Sequence, residues 1–315
     1  MRKFFINCCI FIFIFGMINV VWISLFIYSN QLTSENFPSP ELTNSYSFNS
    51  KLHFLKNKKS KNIAIGSSMT LNNLASEVLI NKIRTNDFLN YSSWGLSIVD
   101  MFKILKISNK IHKVKRLFMA SNLVDFIEDP KIFDAIEIEN YLKNDFDVFY
   151  YLKHLNFKYY FTNWKYTKYV RSGSNFQESL VYDKYGGVLL SENKFIYSKE
   201  RWNSPFIYPM KSELNYQYLD SIAHFCKSYG IDLMVVQSPT RKSLLTNMTE
   251  VKILRNHISK MENILVKQNH YFIDGNRLAL PDDCYVDGTH LNSKGAIIFT
   301  NFIFDLYNQH KLLKI

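Results

Sequence analysis

Asn62-Ile63-Ala64-Ile65-Gly66-Ser67-Ser68-Met69-Thr70 is a short apolar run that ends in glycine and opens a helical pattern. The run from Asn62 to Gly66 reads as a buried strand. From Thr70 to Ile83, Leu71, Leu74, Val78 and Leu79 recur at helical spacing, and Thr70 can cap the start of that helix. The same unit repeats downstream. Phe88 to Tyr91 is a second strand candidate. Ile98 to Ile111 is a helix with Met101, Ile104, Leu105 and Ile107 on its apolar face, and Arg116 to Ser121 is a third strand. After an interruption the rhythm returns. Leu214 to Tyr229 reads as a helix stopped by Gly230, Ile231 to Val236 as a strand closed by Ser238-Pro239, and Thr249 to Gln268 as a long helix. Tyr271 to Ile273 is a fifth strand, and a last helix runs from about Asn292 to Tyr307. Strands alternating with helices over short connections predict an α/β fold of three layers, a mainly parallel sheet with helices on both faces, over residues 61–315.

The interruption spans about residues 130–206. It holds the dense aromatic stretches Phe149-Tyr-Tyr and Phe157 to Tyr166 and a turn at Gly186-Gly187. It reads as an insertion over the sheet's edge or the mouth of a site. Aromatics mixed with lysine can stack on sugars or sit at a bilayer interface. They can equally fill a small core of their own.

The N-terminus is of another kind. Residues 4–28 carry no charge. At about 1.5 Å per residue they are long enough to cross a hydrocarbon core of about 30 Å. Arg2 and Lys3 precede them, which favours a cytoplasmic N-terminus. The apolar core is long and Tyr28-Ser-Asn-Gln-Leu-Thr-Ser makes a poor cleavage site, so a retained signal anchor over 1–28 is expected, with a cleaved signal as the alternative. The remainder of the chain would then lie outside the cytoplasm, periplasmic or extracellular. Residues 29–60, rich in Ser, Asn and Thr and ending in five lysines between Lys51 and Lys61, read as a linker. The basic run could touch anionic lipid or simply be solvated.

Composition bounds the rest. The chain has 315 residues, is 47% hydrophobic and 16% aromatic, and so can bury a sizeable core. Its formal net charge is +11, but the lysines are scattered and no zinc-finger spacing, RNA-binding aromatic motif or long basic helix occurs. No nucleic-acid partner is expected. Cys8 and Cys9 lie in the apolar run, while Cys226 and Cys284 have no CxxC partner, so neither a disulfide framework nor a metal site is indicated. One Cys226–Cys284 bridge and two buried thiols are the two options. No cofactor is implied.

The chemistry gathers at strand ends. At Gly66-Ser67-Ser68 a glycine permits a tight turn, and the N–H groups of the helix start can face an anion. A serine there can be a nucleophile if a base is near, or a plain cap. Asn90-Tyr-Ser-Ser-Trp-Gly95 follows the second strand and Ala120-Ser121-Asn122 ends the third. In a parallel sheet these ends share one edge, where ligands bind. Ser68, Gly95 and Asn122 should therefore converge, offering N–H and amide donors to an oxyanion. After the fifth strand comes Asp287-Gly-Thr-His290-Leu-Asn292-Ser-Lys-Gly295. Its Asp and His, three apart on a turn, suit the orienter and general base of a nucleophile supplied from elsewhere. Arg241 could meet an anionic substrate if its loop reaches the site, or stand on the surface.

These blocks resemble the SGNH (GDSL-like) hydrolase superfamily, whose members carry a nucleophilic Ser, a Gly, an Asn and a final Asp-x-x-His in successive blocks. The matching positions are Ser68, Gly95, Asn122, Asp287 and His290, over roughly residues 61–310 without the insertion. Two positions depart from the pattern: Ser67 where an Asp is usual, and Leu123 where many members have Asp. Gly-Ser-Ser at the first block is similar to the membrane-anchored branch, which includes teichoic-acid D-alanylation and alginate or exopolysaccharide O-acetylation proteins. The resemblance implies an SGNH-hydrolase-like, flavodoxin-like domain. It implies a Ser68-His290-Asp287 triad with an oxyanion hole from Ser68, Gly95 and Asn122. It also implies an acylated glycan or acyl donor as substrate and a membrane-bound O-acyltransferase as partner. Esterase and O-acyltransferase use the same residues. A catalytically silent scaffold and a membrane-tethered lipase or thioesterase are the other readings.

Overall fold

A computed structural model describes residues 2–28, 39–143, 156, 158, 182–191, 202–204, 207 and 213–312. Five strands form one parallel sheet: β1 (Asn62–Ala64), β2 (Leu89–Asn90), β3 (Arg116–Ser121), β4 (Asp232–Gln237) and β5 (Tyr271–Asp274). Their order is β2-β1-β3-β4-β5, every pair parallel. All five strand candidates are present, to within two residues at each end. The reason is local: each is a run too short for a helix, β1 to β4 almost wholly buried as parallel sheets require, and edge strand β5 burying Ile273 with its other residues half-buried.

Alternate residues feed two cores, because successive side chains on a strand point to opposite faces. Ile63, Leu117, Met119, Leu233 and Val235 pack on one face with α5 (Ile98–His112), α7 (Leu214–Ser228) and α8 (Met248–Lys267). Ala64, Phe118, Ala120, Met234 and Val236 pack on the other with α4 (Ser76–Ile83) and α9 (Ser293–Leu312). The three-layer expectation is met.

Two elements differ from the sequence reading. The single helix expected from Thr70 to Ile83 is two: α3 (Ser68–Asn73) and α4, broken at Leu74 and Ala75, which are extended. The Ala75 N–H leaves the helical ladder for Thr300 Oγ1 at 2.9 Å, a partner on α9. Thr70 does not cap α3. Ser67 does, its Oγ accepting the Met69 N–H at 3.1 Å.

The linker is likewise not a tether throughout. Within it, α2 (Tyr46–Leu55) buries Phe48, Leu52 and Leu55 in the first core and is capped by Ser45. Two of the five lysines turn inward, so the basic run is not a free charged strip. Lys51 is fully buried, its Nζ donating to the Gly186 carbonyl, and burial pushes its ammonium well below the usual lysine range. Lys56 Nζ donates to the Tyr141 carbonyl on α6 (Ala135–Lys143).

Of the insertion, 182–191 lies against the β2 edge, as the Asn90 N–H to Tyr185 O bond of 2.7 Å shows. The Gly186 turn is present, with φ +97° and Asp183 Oδ1 accepting the Tyr185 and Gly187 N–H groups. The aromatic stretches from Phe149 to Tyr151 and from Phe157 to Tyr166 fall outside the described residues, apart from Lys158. At the N-terminus α1 (Arg2–Tyr28) is one helix, long and apolar enough to span a membrane, with exposed Phe4, Phe11, Phe13 and Phe15.

Candidate active site

The sheet order changes direction at β1, which has β2 on one side and β3 on the other. The crevice outside the carboxyl ends there is where open α/β sheets bind ligands. The chain leaving β1 turns sharply at Gly66 into α3. Only glycine fits: a Cβ would sit 1.9 Å from Thr70 Oγ1. That hydroxyl fastens α3 to the sheet, donating to the Ala120 carbonyl at 2.6 Å and accepting the Ala120 N–H at 2.9 Å. Ser68 is thereby held as the first residue of α3, half-buried, above the end of β1.

The Asp287–His290 turn meets it. Asp287 is fully buried. Its Oδ1 accepts the Thr289 N–H at 2.9 Å and the His290 N–H at 2.7 Å, closing the turn. Its Oδ2 lies 2.7 Å from His290 Nδ1, and His290 Nε2 lies 2.8 Å from Ser68 Oγ. The hydrogen-bond network assigns the proton on the imidazole to Nδ1, facing the carboxylate, and leaves Nε2 to accept from the serine hydroxyl. Burial pushes the Asp287 carboxyl up. The facing imidazole and the two backbone donors more than offset this and hold it below the usual carboxylate range.

The turn is buttressed from outside. Val286 N–H donates to His290 O at 2.9 Å, and Asn292 Nδ2 to Asp283 O at 2.7 Å. Asn292 Oδ1 also accepts the Gly295 N–H at 3.0 Å. Gly295 is required where α9 starts, since a Cβ there would stand 2.3 Å from the Cys284 carbonyl oxygen.

The structure brings the other candidate residues to the same edge. The loop after β2 is tied to the Gly66-Ser67-Ser68 turn by the Ser93 N–H to Gly66 O bond at 3.1 Å, and Gly95 follows with φ +62°. Asn122, after β3, is buried, and its Oδ1 accepts the Val124 N–H at 3.0 Å. This fixes the amide so that Nδ2 points the other way. Among the described residues, Asn122 Nδ2 and the N–H groups of Ser68 and Gly95 have no partner.

Sequence reasoning missed three residues. Asn73, at the end of α3, brackets His290: its Nδ2 donates to Thr289 O at 3.1 Å and its Oδ1 accepts the Leu291 N–H at 2.9 Å. The signal was the Asn72-Asn73 pair, poor helix formers inside what otherwise scans as a continuous helix. Thr70 was read as a cap and is a cross-link. Asp125 accepts the Asn122 N–H at 3.1 Å, and the Asn-x-x-Asp spacing of this capping box was its signal.

Arg241 is neither on the surface nor aimed at a ligand. It is buried, its guanidinium 3.7 Å from the centre of the Trp202 ring and its Nη1 3.2 Å from Asp282 Oδ2. Only its backbone reaches the site, donating to Gly288 O at 2.9 Å. Cys226 and Cys284 are buried and no disulfide joins them.

No curated protein matches the sequence. A protein-family model matches residues 207–310, less than half of the chain. Among solved structures, the chain is similar to the lipase/acylhydrolase of Enterococcus faecalis, at 12% identity and TM-score 0.41, over 79% of this chain and 96% of that one. It is also similar to a GDSL-like lipase of Bacteroides thetaiotaomicron, at 9% identity and TM-score 0.38, over 80% and 89%. A third likeness is to an alpha/beta hydrolase from the metagenome of Lake Arreo, at 10% identity and TM-score 0.42, over 79% and 94%. At such values the chemistry has to be read from this chain's own geometry.

Proposed function

We propose that the chain is a membrane-anchored serine acyl-transfer enzyme, an ester hydrolase or O-acyltransferase. The observation that carries this reading is the relay from Ser68 Oγ through His290 to buried Asp287, at 2.8 and 2.7 Å. His290 Nε2 takes the proton as Ser68 Oγ attacks an acyl carbonyl carbon. The carbonyl oxygen becomes an oxyanion, and Asp287 stabilises the imidazolium. The N–H groups of Ser68 and Gly95 and the Asn122 amide face the developing charge. One such donor typically lowers the barrier by about 3–4 kcal/mol. The tetrahedral intermediate then expels the alcohol, which takes the proton back from His290, and leaves an acyl-Ser68. Water releases the acyl group in an esterase; a sugar or polyol hydroxyl accepts it in a transferase. A catalytically silent scaffold has no use for a base aligned on a half-buried serine.

The anchor gives the finer reading. With Arg2 and Lys3 before α1, the domain would stand outside the cytoplasmic membrane, and the substrate class is an acylated cell-envelope or exported polysaccharide. An acyl donor would come from a membrane-bound O-acyltransferase in the same membrane.

The test is covalent labelling of the detergent-solubilised chain with a fluorophosphonate probe. Labelling is expected in the wild type and lost in Ser68→Ala. Persistent labelling of Ser68→Ala at the same rate would remove Ser68 as the nucleophile.

A further inference from the structure

The chain that joins Asn122 to Gly95 comes to the surface beside both. It leaves Asn122 through the one-turn helix Leu123–Phe126 and returns to Gly95, where a Cβ would lie 3.0 Å from Lys131 Nζ. The Lys131 N–H holds it there, donating to Asp100 Oδ1 at 3.0 Å at the start of α5. The residues that follow alternate. Phe133 packs inward on Phe48, ring centres 5.6 Å apart, while Ile132, Asp134 and Ile136 face outward. Ile132 is 75% exposed and Ile136 69%. Among the described residues outside α1, only Met248 is a more exposed large apolar side chain. Asp134 between the two isoleucines is turned back on the chain, its Oδ1 accepting the Ile136 N–H at 2.8 Å. A lone exposed isoleucine needs no explanation. What points to an occupant here is where the pair stands.

The chain coming from the anchor joins the domain at this place. Asn44 N–H donates to Ile132 O at 3.3 Å, Ile132 N–H donates to Asn44 Oδ1 at 3.1 Å, and Thr43 forms a β-bridge with Phe133. The helix α1 ends at Tyr28. Even fully extended, the stretch from Tyr28 to Ser39 reaches at most about 40 Å. A compact body of about 270 residues is roughly 50 Å across. A bilayer spanned by α1 therefore lies nearest to the face that carries residues 39–44, and Ile132 and Ile136 stand on that face.

We propose that Ile132 and Ile136 form a membrane-docking patch: they enter the interfacial layer of the bilayer that holds α1 and seat the Gly95 and Asn122 side of the crevice on its surface. This rests on the membrane-anchored reading of the chain. The occupant is lipid, because the bilayer is the apolar partner that the tether keeps within reach. The contact is apolar and not ionic, since the charges around it are of both signs. Lys103 Nζ lies 4.8 Å from the centre of the Phe133 ring, Asp134 stands between the isoleucines, and Glu139 on α6 is paired with Lys110 at 2.9 Å and Lys143 at 2.5 Å. Apolar side chains of such a patch sink about 5–10 Å, to the boundary between headgroups and acyl chains. The substrate that this pose serves is an acyl ester held at the bilayer surface, which meets Ser68 from the side of Gly95.

The test uses the full chain reconstituted through α1 into phosphatidylcholine nanodiscs. Ile132→Trp and Ile136→Trp are read against the wild type and against Met248→Trp. The emission added at the two patch positions should shift to the blue and lose intensity when the lipid is brominated in its acyl chains. The emission added by Met248→Trp should do neither. Raising NaCl from about 0.1 M to about 0.5 M should leave the quenching unchanged, because screening acts on charges and not on apolar contacts. Hydrogen exchange of the wild type needs no substitution. Peptides covering 130–137 should exchange more slowly in nanodiscs than in detergent micelles, and should lose that protection in Ile132→Glu/Ile136→Glu. Tryptophans left unquenched at both positions, equal quenching in Met248→Trp, or quenching that vanishes at high salt would each overturn lipid docking. Should the tryptophan variants not fold, exchange decides alone, and equal rates in nanodiscs and micelles overturn it. A chain that does not co-elute with the nanodiscs, or is recovered cut after α1, defeats the anchored reading itself. That outcome is distinct from a nanodisc-bound chain whose patch stays unquenched.

Discussion

Asp287→Asn separates the orienting role of the carboxylate from its structural one. In the wild type Oδ1 holds the turn through two backbone donors, at 2.9 and 2.7 Å, and Oδ2 faces His290 Nδ1 at 2.7 Å. An asparagine can keep its oxygen at the Oδ1 position, so the turn survives. Its NH2 then faces Nδ1, and two donors cannot share that contact. The imidazole answers by moving its proton to Nε2, the atom 2.8 Å from Ser68 Oγ, which can then no longer accept the serine proton. In Ser-His-Asp enzymes the equivalent change costs about 10⁴-fold in kcat. At about 1.4 kcal/mol per tenfold, that is a barrier increase of about 5–6 kcal/mol. KM should change little. The companion Asp287→Ala strips both backbone N–H groups of a buried acceptor, each worth about 1–3 kcal/mol. It should therefore lose as much activity and melt well below the Asn variant. The assay is steady-state ester hydrolysis paired with a thermal melt. An Asn variant retaining more than about a tenth of wild-type kcat would refute the tautomer argument, since an imidazole protonated at Nε2 has no lone pair for Ser68.

Single contacts set the other expectations. Asn122→Ala removes one oxyanion donor and should lower kcat about 10²–10³-fold in the same ester assay, with a much smaller effect on KM. Gly295→Ala places a methyl 2.3 Å from the Cys284 carbonyl and must push α9 off the 284–292 loop; a cost of about 1–3 kcal/mol should appear as a lower Tm. Burial pushes the Asp125 carboxyl up to about 7, above the usual carboxylate value of 3.8, with Glu128 as the charged neighbour facing it. Between those values the folded protein holds a proton that the unfolded chain does not, so stability falls as pH rises from about 4 to 7 and is flat above. Chemical denaturation across that range should show Asp125→Asn gaining about 1.4 kcal/mol per pH unit on the wild type. Parallel curves for the two proteins would mean that Asp125 titrates normally.

The sheet was legible because each strand is a brief apolar run between turn residues, a signal contained in the run itself. Elements fixed by distant partners were not. The break between α3 and α4 is invisible because Leu71, Leu74, Val78 and Leu79 keep helical spacing across it; what opens the helix is the Thr300 hydroxyl, more than two hundred positions away. The helix α2 was hidden by composition. Phe48, Leu52 and Leu55 have the spacing of one helical face, but they sit among Asn, Ser and Lys, and the burial of Lys51 depends on a carbonyl from Gly186. Asn73 falls in the same class: a polar residue whose role is defined by hydrogen bonds to a distant loop.

The site itself poses a geometric problem that the chain solves with its own backbone. Asp287 and His290 follow β5, the edge strand, while Ser68 follows β1, with β3 and β4 between them. At about 4.8 Å per strand, His290 starts roughly 14 Å from Ser68. The stretch from Gly275 to Val286 has to carry it back across the carboxyl ends of the intervening strands, and the contacts along that path mark the crossing. Gly275 packs so closely on the Gln237 carbonyl at the end of β4 that a Cβ would be 2.2 Å from it. Thr240 N–H donates to Asn276 Oδ1 at 2.9 Å, and Arg241 N–H to Gly288 O at 2.9 Å, pinning the crossing chain to the loop after β4. Asn73 receives it at the far side, on either flank of His290. The β4 loop thus supports the Ser68–His290–Asp287 arrangement through backbone groups and the Ser238 hydroxyl, which accepts from Asn73 Nδ2 at 3.4 Å. This explains why a buried arginine stands next to the site with its side chain turned to Trp202 and Asp282: its guanidinium anchors the loop whose N–H holds Gly288.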